Sequence, residues 1–119
     1  MQNELPDRDE ESTIEHVARL IRDRTFDLDE GALTYIEREG SELLRGWVFA
    51  YRVYRASDDE RIERLREGLT STNPRIREQS CDIIGDEAIS ALRQDLIRLF
   101  EDPADCAREA AIYNHDKMF

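Results

Sequence analysis

This sequence has almost no lysine. It carries one, Lys117, and all its other basic side chains are arginines. The 17 basic residues face 28 acidic ones, so the formal net charge is −11 at pH 7. A nucleic-acid binder normally shows a basic footprint, and an anionic membrane surface repels an acidic chain, so neither is an expected partner. A basic protein surface fits the charge better, because complementary fields steer encounter. Arginine in place of lysine is what a GC-rich genome produces, and with the acidity it also fits a salt-adapted organism.

Long apolar runs are also missing. No segment approaches the roughly 20 apolar residues of a membrane span. The opening MQNELPDRDEES has no apolar core of the signal-peptide kind. Cysteine occurs twice, as Cys81 and Cys106, in no CxxC or zinc spacing, so neither a disulfide framework nor a metal site is implied. There is no Gly-rich phosphate loop, no HExxH and no GxSxG. Cys106 and His115 are the one nucleophile–base combination worth naming, but Cys106 falls at a helix start where packing is the simpler role. His16 sits mid-helix, where a structural role is simpler too. The expectation is a cytoplasmic, non-enzymatic protein with no cofactor and no metal.

Apolar residues at helical spacing, punctuated by caps, are what the sequence does contain. At 119 residues it makes one domain with one modest core. Residues 1–11 are expected to be a disordered acidic lead-in, and residues 12–119 a single helical domain. Ser12-Thr13-Ile14-Glu15 has capping-box spacing, followed by Val17, Ala18 and Ile21. Asp29 is placed to cap a second helix ending at Gly40, and Ser41 or Glu42 starts a third. Ser57-Asp58-Asp59-Glu60 is another capping box, leading into Ile62, Leu65 and Leu69. Asn73-Pro74 and Asp102-Pro103 each pair an N-cap residue with Pro in the first turn, where its missing N–H costs nothing. Gly85 is expected to end one helix before Asp86 begins the next, through Ile89, Leu92, Leu96 and Phe100. Six or so helices of 10–15 residues result, with no run of alternating strands.

The chain also repeats itself. At an offset of 31, Leu65 matches Leu96, Leu69 matches Phe100, Ile76-Arg77-Glu78 matches Ala107-Arg108-Glu109, and Cys81 matches Ile112. At an offset of 32, Leu44-Arg45 matches Ile76-Arg77. NPRIREQSC is close to the Asp/Asn-Pro-x-Val-Arg-x-x-Ala turn of the HEAT repeat family, in its short PBS-lyase HEAT-like form. DPADCAREAA is a looser copy with two extra residues after Pro103, and SELLRGWVFA lacks the Pro. Over roughly residues 30–119 the chain therefore resembles that family. The resemblance implies an all-α, right-handed solenoid of about three hairpins, in which Asn73, Asp102, Arg45, Arg77 and Arg108 tie neighbouring repeats together. Stacked hairpins share a continuous core that no single hairpin can cover alone.

One segment, RGWVFAYRVYRA (residues 45–56), has the composition of a strand. A lone strand would leave its backbone groups unpaired, so a helix is expected. Its Leu44, Val48, Phe49 and Tyr51 take the inner positions that Ile76, Ser80, Cys81 and Ile83 hold in the next repeat. Trp47, Tyr51 and Tyr54 lie at i, i+4 and i+7 on an adjoining stripe, where aromatics usually pack at the core edge. They also match the composition of interface hot spots. Trp47 aligns with Gln79 and Ala110, neither a strong core residue. The expected partner-binding set is accordingly Trp47, Tyr51, Tyr54, Gln79, Asp82 and Asp86, with carboxylates opposing a basic partner.

Several bacterial immunity families are small helical repeats. By analogy of fold, the resemblance implies an acidic inhibitor or immunity-type protein that neutralises a basic protein such as a toxin. It also implies two alternatives. An accessory or scaffold role in a lyase-like enzyme complex would follow the chromophore lyases, which are typically longer. A nucleic-acid-binding helical repeat, with Arg52 and Arg55 beside aromatics as a stacking platform, would need a basic concave face that this chain lacks.

Overall fold

A computed structural model describes residues 9–119, so all but the last three residues of the expected acidic lead-in lie outside the described part. Among the described residues there are seven α-helices and no strand. They are α1 (Glu10–Arg22), α2 (Glu30–Glu39), α3 (Glu42–Arg55), α4 (Asp58–Gly68), α5 (Pro74–Asp86), α6 (Arg93–Ile97) and α7 (Asp105–Met118). Short 3₁₀ turns flank α6 at Ser90–Leu92 and Arg98–Glu101. RGWVFAYRVYRA is helical: Ser41 caps α3 by accepting the Leu44 N–H at 3.1 Å.

Helix starts follow the polar caps with three corrections, the first being that Ser57 precedes α4 but makes no side-chain cap hydrogen bond, so the expected capping box there is not formed. The first helix begins at Glu10 rather than Ser12, because the Asp9 carboxylate accepts the Ser12 N–H at 2.9 Å. Glu10 and Glu11 thus join the first turn, where negative charge suits the helix dipole. Asp102 does not cap the last helix. Its carboxylate accepts the Ala104 N–H at 2.9 Å, but the helix starts only at Asp105. The two extra residues after Pro103 form a longer turn while Asp102 stays engaged by Arg77. Asn73 is an N-cap as expected, its Oδ1 accepting the Arg75 N–H at 2.9 Å.

Helix ends differ more. Gly85 does not terminate a helix; α5 runs past it to Asp86. The reversal comes at Ala88, with φ of 53°, where the Ile89 N–H reaches the Ile84 carbonyl at 3.0 Å. Arg24 (φ 56°) ends α1 in the same way, with the Thr25 N–H on the Leu20 carbonyl. These are left-handed helix stops without the usual glycine. The expected continuous helix from Asp86 to Phe100 is accordingly broken, and only α6 within it is α-helical.

The helices lie in two rows. Helices α1, α3, α5 and α7 pack each on the next, while α2 packs on α3, α4 on α3 and α5, and α6 on α7. Overall extents of 43 × 28 × 20 Å fit four helices abreast and two deep at about 10 Å per helix. The buried seam repeats along the first row as Leu44, Val48 and Tyr51, then Ser80 and Ile83, then Ala107, Ala111 and Asn114. The pairing of Cys81 with Ile112 fails in one respect: Cys81 is buried, whereas Ile112 lies on the outer side of α7, which no described helix covers.

Gly85 has a different task from the one expected of it. A Cβ there would sit 1.9 Å from Asn114 Oδ1 and 2.9 Å from Asn114 Cβ. The missing side chain is what lets α5 and α7 approach. A Gly→Ala change inside a helix ordinarily stabilises by about 1 kcal/mol. Gly85→Ala is expected to reverse that sign and cost about 1–3 kcal/mol through overpacking. Urea unfolding checks it, and a stabilised variant would show that α5 and α7 are not in this contact.

Candidate partner-binding face

The expected partner-binding residues divide according to burial. Tyr51 is not available to a partner. It is 0% exposed, its hydroxyl accepts the buried Leu28 N–H at 2.9 Å, and its ring meets Phe26 edge-on at 5.3 Å. The i, i+4, i+7 spacing put it on the aromatic stripe, but the loop between α1 and α2 folds over that point. Burial pushes the Tyr51 hydroxyl pKa up, against the pull of the Leu28 hydrogen bond. Trp47 is half-buried and packs against the core.

Tyr54 is also half-buried, lying under the Arg24 guanidinium at 4.8 Å. Its hydroxyl pKa is pushed up to about 12, first by burial and then by the negative charges of Asp86, Glu87 and Asp82. Those charges place the end of α3 beside the end of α5. Arg24 also reaches Glu87, at 3.8 Å.

Along α5, Glu78, Asp82 and Asp86 stand at i, i+4 and i+8 on one face. Asp82 is half-buried, and burial chiefly raises its pKa, reinforced by the charges of Glu78 and Asp86. Opposing this, Asn114 on α7 donates its side-chain N–H to Asp82 at 2.9 Å. Asp86 is exposed and pairs with Lys117 at 3.2 Å. Gln79 is half-buried next along the helix. Of the six expected residues, then, Tyr54, Asp82 and Asp86 come together, Gln79 and Trp47 belong to the same two helices, and Tyr51 lies beneath.

Sequence reasoning missed Tyr113 and Asn114. Tyr113 is 64% exposed, and the Lys117 ammonium lies 5.5 Å from its ring centroid. It is the repeat equivalent of Asp82 at the 31-residue offset, which is the signal that would have found it. Arg61 was missed too. It donates to the Val53, Tyr54 and Ala56 carbonyls at 3.1–3.2 Å, closing the C-terminus of α3.

The residues expected to tie repeats together also divide. Arg77 grips Asp102 with two hydrogen bonds of 2.8 and 2.9 Å and reaches the Ser71 carbonyl at 2.8 Å. Asn73 ties α5 back to α3 by donating to the Glu42 carbonyl at 3.0 Å. Arg108 bonds only within its own turn, to the Asp102 carbonyl and to Asp105. Arg45 ties nothing: its buried Nε has no hydrogen-bond partner. Asn73, which lines the same cleft as Arg45, is an amide rather than an aspartate, and both ends of it are already engaged.

Cys106 and His115 do not meet. They are nine residues apart on one helix, a separation of about 13 Å along the axis. Cys106 points its thiol at the Pro74 carbonyl, while His115 packs between Phe100 and Phe119 and accepts from Arg93 Nε at 3.2 Å. Arg52 is clamped by Glu37 at 2.6 Å and Glu30 at 2.7 Å. No group of three His, Cys, Asp or Glu side chains among the described residues is arranged to hold a metal ion, and no described helix is long and apolar enough to cross a membrane. Comparison with protein-family models, with curated proteins and with solved structures found no match to this chain.

Proposed function

We propose that this protein is a non-enzymatic binding module, built as a short HEAT-like stack of hairpins. Its most specific form is an inhibitor of the immunity type that neutralises a basic protein such as a toxin. The α5–α7 face makes the contact. The observation that carries this reading is the Asp82 carboxyl, half-buried in line with Glu78 and Asp86, with a single side-chain hydrogen bond from Asn114. Like charges at i, i+4 spacing cost a free helix stability; Arg75 pairs with Glu78 and Lys117 with Asp86, which leaves Asp82 as the carboxylate of the line that a cationic side chain from a partner would meet. Exposed Tyr113 beside this line supplies the aromatic contact area typical of interface anchors. The stacked-hairpin part of the reading is supported by the recurring buried seam and by the Arg77–Asp102 and Asn73–Glu42 ties.

The test replaces Tyr113 with a photo-crosslinking phenylalanine analogue, and separately Tyr35 on α2, which is 60% exposed on the other row. Irradiation in the source cells is expected to capture one basic protein from position 113 and not from position 35. Asp86→Arg is expected to weaken the purified pair on the order of tenfold, mainly through slower association. The captured protein expressed alone should arrest growth, and co-expression should restore it. Equal capture from both positions, or capture indifferent to Asp86→Arg, would reject the face.

A further inference from the structure

Between α3, α4 and α5 lies a cleft of about 400 Å³, separate from the α5–α7 face. Three arginines line it, Arg45, Arg52 and Arg64. Arg52 is neutralised by Glu37 and Glu30. The Nε atoms of Arg45 and Arg64 are buried without a hydrogen-bond partner, the only side-chain polar atoms among the described residues in that state. Among the described residues neither guanidinium makes a hydrogen bond or an ion pair, and both side chains are half-buried, so two cations stand in the cleft wall without a counter-ion.

The repeat explains how this arose. Arg77 occupies the same place one repeat on, and its guanidinium is met by the carboxylate of Asp102 with two parallel hydrogen bonds. The turn that lines the cleft with Arg45 carries Asn73, a neutral amide committed to Glu42 and Arg75. The lining therefore repeats the Arg77 arrangement without its carboxylate, and has room for one.

We propose that this cleft binds a small organic monocarboxylate. Its carboxylate accepts from the Nη groups of Arg45 and Arg64, the guanidinium atoms that burial leaves open, and so gives these cations the counter-charge that Asp102 gives Arg77. Two features select this class. Arg52 and its neighbour Arg55 are balanced by Glu37 and Glu30, so Arg45 and Arg64 against Glu67 leave the lining one net positive charge, which suits a monoanion and disfavours a dianionic phosphate. Phe49 and Ile76 give the same cleft an apolar wall for the rest of the molecule, and the volume is in the range of small-ligand sites.

The experiment titrates the full chain with benzoate, with inorganic phosphate and with benzyl alcohol, following the arginine Nε–H signals of ¹⁵N-labelled protein. Benzoate is expected to saturate and shift Arg45 and Arg64, with phosphate and the alcohol much weaker. Arg64→Gln should bind benzoate about tenfold more weakly. Asn73→Asp is the decisive variant: it keeps the cap on the Arg75 N–H, gives up the donation to the Glu42 carbonyl, and adds a negative charge to the cleft lining, which should weaken benzoate binding at least about tenfold in a protein of unchanged circular dichroism. Absence of saturable benzoate binding, phosphate binding as tight as benzoate, or unaltered binding by a folded Asn73→Asp protein would each overturn the assignment.

Discussion

Tyr51→Ala is expected to destabilise the protein by about 3–5 kcal/mol, the cost of removing a fully buried aromatic ring and leaving a cavity. Against a total stability of about 5–15 kcal/mol for a domain of this size, that leaves little margin. The ring fills the junction of α3 with the loop that crosses from α1 to α2, where it touches Phe26 and lies under Arg55. Its hydroxyl accepts the buried Leu28 N–H, which has no other acceptor among the described residues. Tyr51→Phe isolates that part: it keeps the ring, strands the buried N–H, and should cost about 1–3 kcal/mol. Urea unfolding followed by the fluorescence of the single tryptophan, Trp47, measures both. A Tyr51→Ala loss within about 0.5 kcal/mol, the scale of ordinary surface substitutions, would mean that Tyr51 faces solvent and belongs with the partner face after all.

Asp102→Ala is expected to cost a similar amount, about 3–5 kcal/mol, because it strands the Arg77 charge in a site where that side chain is only 15% exposed. Arg77→Met in the same background should recover part of the loss by removing the uncompensated cation. Burial alone would raise the Asp102 pKa. The Arg77 hydrogen bonds, the Ala104 N–H and the charges of Arg77 and Arg108 outweigh it and hold the carboxyl below its usual range. The sign follows from linkage: a depressed folded pKa gives stability that is full above the unfolded value, about 3.9, and is lost as pH falls through the folded value. Wild type and Asp102→Ala should therefore differ most at neutral pH, with the gap narrowing in acid below about pH 4. A gap independent of pH would show that the pair is not ionised in the folded protein.

Much of the helical layout was legible because it rests on local chemistry. Asp29, Ser41 and Asn73 start helices through their own side-chain oxygens, and that preference travels with the residue. The ends were harder to see. Ala88 and Arg24 stop helices in a left-handed conformation that their residue types do not advertise, and Gly85, the residue that does advertise a stop, serves instead as a notch for α7. The candidate face was legible only in part. Periodicity placed Tyr51 and Tyr54 on one stripe, but it cannot tell which end of a stripe a distant loop will cover.

The sequence by itself determined an acidic, all-helical chain, most of its helix starts, the helical state of RGWVFAYRVYRA and the 31-residue recurrence. All of these depend on residue type and on spacing within a few turns. Only the tertiary structure decided that Tyr51 is sealed under the Leu28 loop, that Arg77 is paired while Arg45 is not, and that Tyr113 stands exposed beside the Asp82 line. Each of these is set by what another helix or loop brings to the residue, and a pairing across 25 residues, such as Arg77 with Asp102, leaves no mark in local periodicity.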